Sequence, residues 1–295
     1  MEKIKKLPIR EEFMYKYLFG PVPSRRLGIS LGLDLVAPKT CNMNCVFCEC
    51  GVTQELTTER RSYIDVEEAK KEIKDILKTV KPDCITFSGD GEPTLSSDLG
   101  EMINWIKDNT DVNVVVITNS GLLHDKKVRD EIKRADIVIP TLNSAVELTM
   151  KKINRPKASI SLKEIEEGIK ALGEEFTGKI YLETFIIEGI NDSEEELNAL
   201  YSFLKDVNYT KLQLNRLDRP GTEKWVQPAS FERLDFIKKY LEEKGLHDVE
   251  ILGKFHIAEQ EKIEKNDELV ENMKSKRVYS EEELNAIYKL SLIHI

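Results

Sequence analysis

The sequence predicts an α/β fold of about six βα units, forming a partial or full TIM-like barrel with a short helical C-terminal extension. Two observations carry this reading. Short runs rich in Val, Ile and Thr alternate with longer amphipathic stretches from about residue 29 to residue 214, and each intervening helix carries the chain back so that the next strand runs parallel to the last. Polar residues cluster just after several of those strands, at Ser88–Thr94, Thr118–Gly121 and Leu214–Pro220, the end of a barrel where sites are built. A doubly wound sheet is the competing topology.

The elements follow in order. Residues 1–24 read as a charged, aromatic-dotted lead-in that closes on Gly20-Pro21-Val22-Pro23. Ile29–Val36 alternates apolar with small or polar residues, which suits a strand. A cysteine-rich loop precedes Asp65–Val80, whose Val66, Ala69, Ile73, Ile76 and Leu77 keep helical spacing behind an Asp65 cap. Cys84–Phe87 reads as a buried strand, Ser97–Asp108 as a helix and Val112–Thr118 as a β-branched strand. Lys126–Arg134 is helical and Ala135–Pro140 a strand, and Ser161–Glu175 opens with Ser161 and Glu164 at capping-box spacing. Lys179–Ile187, Ser193–Asp206 and Thr210–Leu214 read as strand, helix and strand. Beyond Pro228 come a helix over Phe231–Lys244, a strand over Val249–Leu252, and charged, helix-rich sequence. The core is therefore expected over 25–228, with an α-rich extension over 229–295 that closes the open side of the barrel or meets a partner.

Composition narrows the function. The chain of 295 residues is 40% hydrophobic and 33% charged, so it is a folded protein with a real core rather than a disordered or low-complexity chain. No apolar run reaches the roughly 18–20 residues that cross a bilayer, and Met1–Lys6 leads into charged sequence with no apolar signal region, so a cytoplasmic protein with no membrane partner is expected. A formal charge of −9 excludes a global basic field for nucleic acid. Of the five cysteines, Cys41, Cys45, Cys48 and Cys50 fall within ten residues, a poor disulfide framework and a good metal or cluster site.

Cys41-Asn42-Met43-Asn44-Cys45-Val46-Phe47-Cys48 is C-x3-C-x2-C. Three thiolates so close can hold three corners of a cubane cluster and leave its fourth iron open. Phe47 stands where it would shield the cluster from water. The other reading is a zinc site with Cys50 as fourth ligand, although structural zinc sites usually draw on two separated pairs. Cys84, inside a strand, is most simply a small buried hydrophobe.

This motif, with an aromatic before the third cysteine in a repeated βα chain, resembles the radical S-adenosylmethionine (SAM) superfamily. The longer strings Gly20-Pro21-Val22-Pro23-Ser24-Arg25-Arg26-Leu27-Gly28 and Ser30-Leu31-Gly32-Leu33-Asp34 are similar to a subgroup of iron–sulfur oxidoreductases grouped loosely with the archaeal wyosine-synthesis enzymes. The resemblance covers roughly residues 20–228. It implies a [4Fe–4S] cluster on Cys41, Cys45 and Cys48 and a bound SAM that is cleaved reductively to methionine and a 5′-deoxyadenosyl radical, which takes hydrogen from a substrate. It also implies an electron donor such as flavodoxin or ferredoxin. The substrate stays open between a small molecule, a peptide and a tRNA. The alternatives are a cluster-bearing oxidoreductase or electron carrier that does not cleave SAM, and a zinc-stabilised binding module.

Other positions take roles from the same resemblance. Ser88-Gly89-Asp90-Gly91-Glu92-Pro93-Thr94 stands where the superfamily has its Gly-Gly-Glu-type motif; the glycines would let backbone carbonyls reach a ligand ammonium, Glu92 would order the turn or meet the ammonium, and Pro93 would stiffen it. An ordinary βα turn is the plain alternative. Asn119 would meet the carboxylate or ribose of SAM, unless Asn119-Ser120-Gly121 is only a turn signal. Ile187 opens a stretch that loosely matches the adenine-contacting segment, and Glu183 would bind a ribose or substrate if it points inward. Asn215, Arg216 and Arg219 are candidates at the mouth, and Arg25 and Arg26 could hold an anionic group or be a solvated pair. His124, His247 and His256 keep no ligand spacing.

Overall fold

The computed structural model describes residues 15–253 and, beyond them, 263–264, 267–276, 279, 281, 284–285 and 288–289. Its framework is one eight-stranded sheet. The strands are β1 (Leu18–Ser24), β2 (Gly28–Leu33), β5 (Cys84–Phe87), β6 (Asn113–Thr118), β7 (Ile137–Pro140), β8 (Lys179–Phe185), β9 (Lys211–Asn215) and β10 (Val249–Ile251), in that spatial order. Two-residue strands β3 (Thr40–Cys41) and β4 (Glu55–Leu56) pair in parallel within the cysteine loop. From β2 onward every neighbour in the sheet is parallel, and β1 and β10 do not pair with each other, so the barrel is partial.

Helices α1 (Val66–Ile76), α2 (Leu99–Asn109), α3 (Lys126–Ile132), α4 (Glu147–Asn154), α5 (Leu162–Glu175), α6 (Glu194–Leu204) and α7 (Phe231–Glu243) return the chain between parallel strands. Their starts follow the local chemistry. Asp65 accepts the Glu68 N–H at the head of α1, Ser161 and Glu164 form the reciprocal capping box of α5, and Ser193 accepts the Glu196 N–H of α6. The strands alternate their burial: Val114 and Val116 of β6 pack in the main core shared with the helices, while Val115 and Ile117 pack with Cys84 and Ile139 inside the barrel. Cys84 is accordingly a small buried hydrophobe.

Among the described residues, strand β1 and helix α4 lie outside the sequence expectation. The lead-in contains β1, an antiparallel edge strand whose register slips between Phe19 and Val22. Pro21 and Pro23 hide it, because proline is tolerated in a sheet only at edges and bulges. Helix α4 was hidden by weak punctuation: Val146 offers no side-chain cap, and Arg155 ends the helix at φ 43° where a glycine would be expected. Beyond Pro228, α7 and β10 continue the alternation, with β10 parallel to β9. In the tail, α8 (Asp267–Lys276) is accompanied by a parallel pair, β11 (Ile263–Glu264) and β12 (Tyr288–Lys289). Val270, Met273, Leu284 and Tyr288 of this tail form a small core with Phe19 and Val22 of β1. The start of the lead-in and His256 lie outside the described residues.

Candidate active site

The cysteine loop crosses the C-terminal ends of the parallel strands and is fastened from three directions. The C-terminal end of α4 runs alongside it: the carbonyls of Ile153 and Asn154 accept N–H groups of Val46 and Asn44 at 2.9 and 3.1 Å. From beyond β9, Thr222 Oγ1 donates to Cys45 O at 2.8 Å and Glu223 N–H donates to Val46 O at 3.0 Å. From the end of β6, Asn119 Nδ2 donates to Asn42 Oδ1 at 2.6 Å and lies 3.4 Å from Cys41 Sγ. Asn154 Nδ2 makes the equivalent approach to Cys45 Sγ, also at 3.4 Å. Burial pushes both thiols up, Cys45 to about 11; binding to a cation would remove their protons outright.

Glu92 is the anchor of the glycine turn after β5. Its buried carboxylate accepts Thr94 N–H at 3.1 Å, Thr94 Oγ1 and Thr118 Oγ1 at 2.7 Å, and Asn119 N–H at 2.8 Å. Burial pushes this carboxyl up and the four donors oppose the shift. Of the two roles open to Glu92, ordering the turn is the one these contacts perform: it ties the ends of β5 and β6 together. Pro93 follows as the first residue of a buried single turn, Pro93–Leu95. Gly91 permits a close approach, but to the chain itself, since a Cβ there would overlap the Thr40 carbonyl oxygen beside Cys41. Gly89, at φ +149°, stands against Asp34, whose Oδ2 accepts the Asp90 N–H at 3.1 Å. Asp90 also faces Lys39, at 3.6 Å.

Inside the sheet's curve lies a cavity of about 340 Å³, lined by Phe47, Cys48, Cys50 and Gly89 and by Arg25, Arg26, Glu183 and Asn215. Glu183 points inward and pairs with Arg26, which also donates to Gln213 Oε1 at 3.1 Å. Arg25 pairs with Asp218 and donates to Asn215 Oδ1 at 3.1 Å. Arg219 also lines this space and reaches Glu49 on the cysteine loop at 2.9 Å. The two N-terminal arginines are thus part of an internal polar network rather than a solvated pair. Arg216 sits elsewhere, stacked 4.6 Å over the Phe231 ring. Phe47 stacks on Phe185 of β8 at 4.2 Å, and Ile187 joins them in a small apolar cluster with Val46 while its N–H donates to Asn191 Oδ1 at 2.8 Å. Sequence reasoning missed Asn154, Thr222 and Glu223; only the Asn154-Arg155-Pro156 string, a turn signal, marked the first.

The donor set fits an iron–sulfur cluster in its chemistry: three unbridged thiols on one short loop, two of them approached by side-chain amides, the contacts that tune such clusters. Cys50 Sγ instead donates to Gly89 O at 3.3 Å. As the side chains stand, no three His, Cys, Asp or Glu groups among the described residues converge on a point as a bound metal ion requires. No helix among the described residues is long and apolar enough to cross a membrane.

Comparison with known proteins accords with this arrangement. The sequence model of the Radical SAM superfamily matches residues 36–201. A UPF0026 protein of Methanocaldococcus jannaschii is 36% identical over 241 residues, covering 80% of this chain and 75% of that one. A Brachyspira hyodysenteriae protein named GTPase Obg is 37% identical over 228 residues, 77% of this chain, and this chain spans only 34% of its length. In structure, a radical SAM methyltransferase from Sphaerobacter thermophilus superposes with a TM-score of 0.58 at 17% identity, over 75% of this chain and 65% of that one, which establishes the shared fold. With its cysteine loop at the mouth of a partial parallel barrel and these relatives beside it, the chain belongs to the radical SAM superfamily and, within it, to the UPF0026 proteins.

Proposed function

We propose that this protein is a radical SAM enzyme in which Cys41, Cys45 and Cys48 hold a [4Fe–4S] cluster and the adjoining cavity receives SAM and a substrate. When bound, the cluster and SAM supply a one-electron reductive cleavage to methionine and a 5′-deoxyadenosyl radical, the species that abstracts hydrogen from the substrate. The observation that supports this reading most is the cavity of about 340 Å³ that has Cys48 on its wall.

The chain's own residues prepare that space. Glu92 fixes the turn after β5 against the end of β6, which holds Gly89 on the cavity wall. The Phe47–Phe185 stack places aromatic surface beside the third cysteine and keeps water from it. Arg25, Arg26 and Glu183, with the Arg219–Glu49 pair, carry the charge of the interior and orient whatever polar groups the substrate brings. The substrate is a small molecule, a peptide or a tRNA segment, and the reducing electron comes from a carrier such as flavodoxin or ferredoxin.

The test is anaerobic. The protein is reconstituted with iron and sulfide, reduced, mixed with SAM, and 5′-deoxyadenosine is quantified. Formation of that product by wild type and its absence in Cys45→Ala are expected. A brown protein, absorbing near roughly 400 nm, that binds SAM without cleaving it would point to an electron carrier. Stoichiometric zinc in a colourless protein would overturn the proposal.

A further inference from the structure

The surface outside Cys45 has the opposite charge to the rest of the chain. Helix α4 and the turn after it expose Lys151, Lys152 and Arg155, with Lys157 half-buried beside them, and the adjoining 222–226 turn adds exposed Lys224. Among the described residues two carboxylates pair with these five cations: Glu147, 2.8 Å from Lys151, and Glu223, paired with Arg155. The whole protein, by contrast, carries −9. Two large apolar side chains stand in the same patch, Leu148 at 80% and Trp225 at 46% exposure.

The underside of this patch is the cluster loop. The Ile153–Arg155 carbonyls accept the Asn44 and Val46 N–H groups, and Glu223 N–H donates to Val46 O. Asn154, between the exposed Lys152 and Arg155, directs its side-chain amide inward to Cys45 Sγ. Patch and thiol are therefore two sides of a single layer of chain.

We infer that this patch is the docking surface for an acidic one-electron carrier protein, and that the electron enters through the Cys45 edge of the site. The inference rests on the cluster reading above. A basic rim on an otherwise acidic protein steers an acidic partner to this face and repels it elsewhere. Leu148 and Trp225 supply the small apolar centre typical of brief electron-transfer encounters, which bury little area. A nucleic acid would need its phosphates neutralised along an extended track, which the surrounding negative charge opposes. The transfer itself makes and breaks no bond: one electron leaves the carrier, which is oxidised, and enters the cluster, which is reduced.

Two measurements on the full chain test it, with an acidic flavodoxin as the probe. The first is the Kd between flavodoxin and the cluster-free protein, by titration at about 50 and about 300 mM salt. The second is the rate at which reduced flavodoxin, and separately dithionite, bleaches the reconstituted protein. Lys152→Glu/Lys224→Glu should weaken low-salt binding by about tenfold or more and slow reduction by flavodoxin while leaving the dithionite rate unchanged. Trp225→Ala should weaken binding at both salt concentrations. Lys71→Glu/Lys78→Glu, the same charge change on α1 and its trailing turn, should do neither. Equal Kd for wild type and Lys152→Glu/Lys224→Glu would overturn the inference, as would equal losses in both double variants. So would a tRNA that binds this patch where flavodoxin does not. A protein that forms no cluster, or whose cluster dithionite cannot reduce, would sink the cluster reading, and the Kd series would still decide the docking surface.

Discussion

Gly91→Ala offers a sharp probe of the site because its consequence is dictated by backbone. A Cβ at Gly91 would overlap the Thr40 carbonyl oxygen and stand 2.7 Å from Val36 Cγ2. The carbonyl cannot swing away cheaply, since it already accepts the Glu92 N–H at 3.1 Å and belongs to the strand that carries Cys41. Forcing a methyl into a packed interior costs about 1–3 kcal/mol, and losing the Glu92–Thr40 hydrogen bond adds about 1 kcal/mol. At roughly 2–4 °C per kcal/mol for a domain of this size, the thermal midpoint should fall by roughly 4–16 °C. The site should register it too, because whatever moves Thr40 moves Cys41. Differential scanning fluorimetry and iron content after reconstitution measure both effects. Gly253→Ala is the control, since a Cβ there meets nothing within 4 Å among the described residues. A Gly91→Ala protein with the wild-type midpoint and full iron would refute the reasoning that this glycine exists to let the turn touch the cysteine strand.

Other expectations follow from the same contacts. Cys45→Ala should abolish cluster binding and Cys50→Ala should leave it nearly intact, read as iron and sulfide per chain; a cluster lost in Cys50→Ala would revive a four-thiolate site. Asn154→Ala removes the amide that approaches Cys45 Sγ, so the cluster's reduction potential should become more negative, and an unchanged potential in a spectroelectrochemical titration would refute that contact. Glu183→Ala leaves the largely buried Arg26 guanidinium with the neutral Gln213 acceptor but without its counter-charge and should cost up to about 3–5 kcal/mol. Arg26→Ala/Glu183→Ala should recover part of that loss, and strict additivity in denaturant titrations would show that the pair is not coupled.

The sequence carried the parallel framework well because each βα unit is written locally. Strand β5 falls on the expected residues, Cys84–Phe87, and the Asp65 and Ser161 caps sit where their helices begin. It concealed β1 behind two prolines and α4 behind the absence of capping signals. The candidate site divides in the same way. The cysteines announce themselves through spacing, and the glycine turn and Asn119 through their resemblance to the superfamily's motifs after strands, whereas the partners of Cys45 come from residues 109 and 177 positions away, and no local pattern marks a contact of that separation. Glu183 shows the limit from the other side. Period-two alternation says that it faces one side of β8, and only the curvature of the sheet, with Arg26 across it, says that this side is the interior.

That long reach has a consequence for how the protein is made. Thr222, which fastens Cys45, is translated 177 residues after it. At about 5–20 residues per second, the ribosome delivers that fastening roughly 9–35 s after the thiol itself. Through that interval the loop can be touched by oxidants, by stray metal ions or by a scaffold that delivers iron and sulfide. On the proposed cluster reading, the order of synthesis therefore sets a time window in which the nascent chain would be receptive to loading and also most easily damaged, and the arrival of Thr222 closes it.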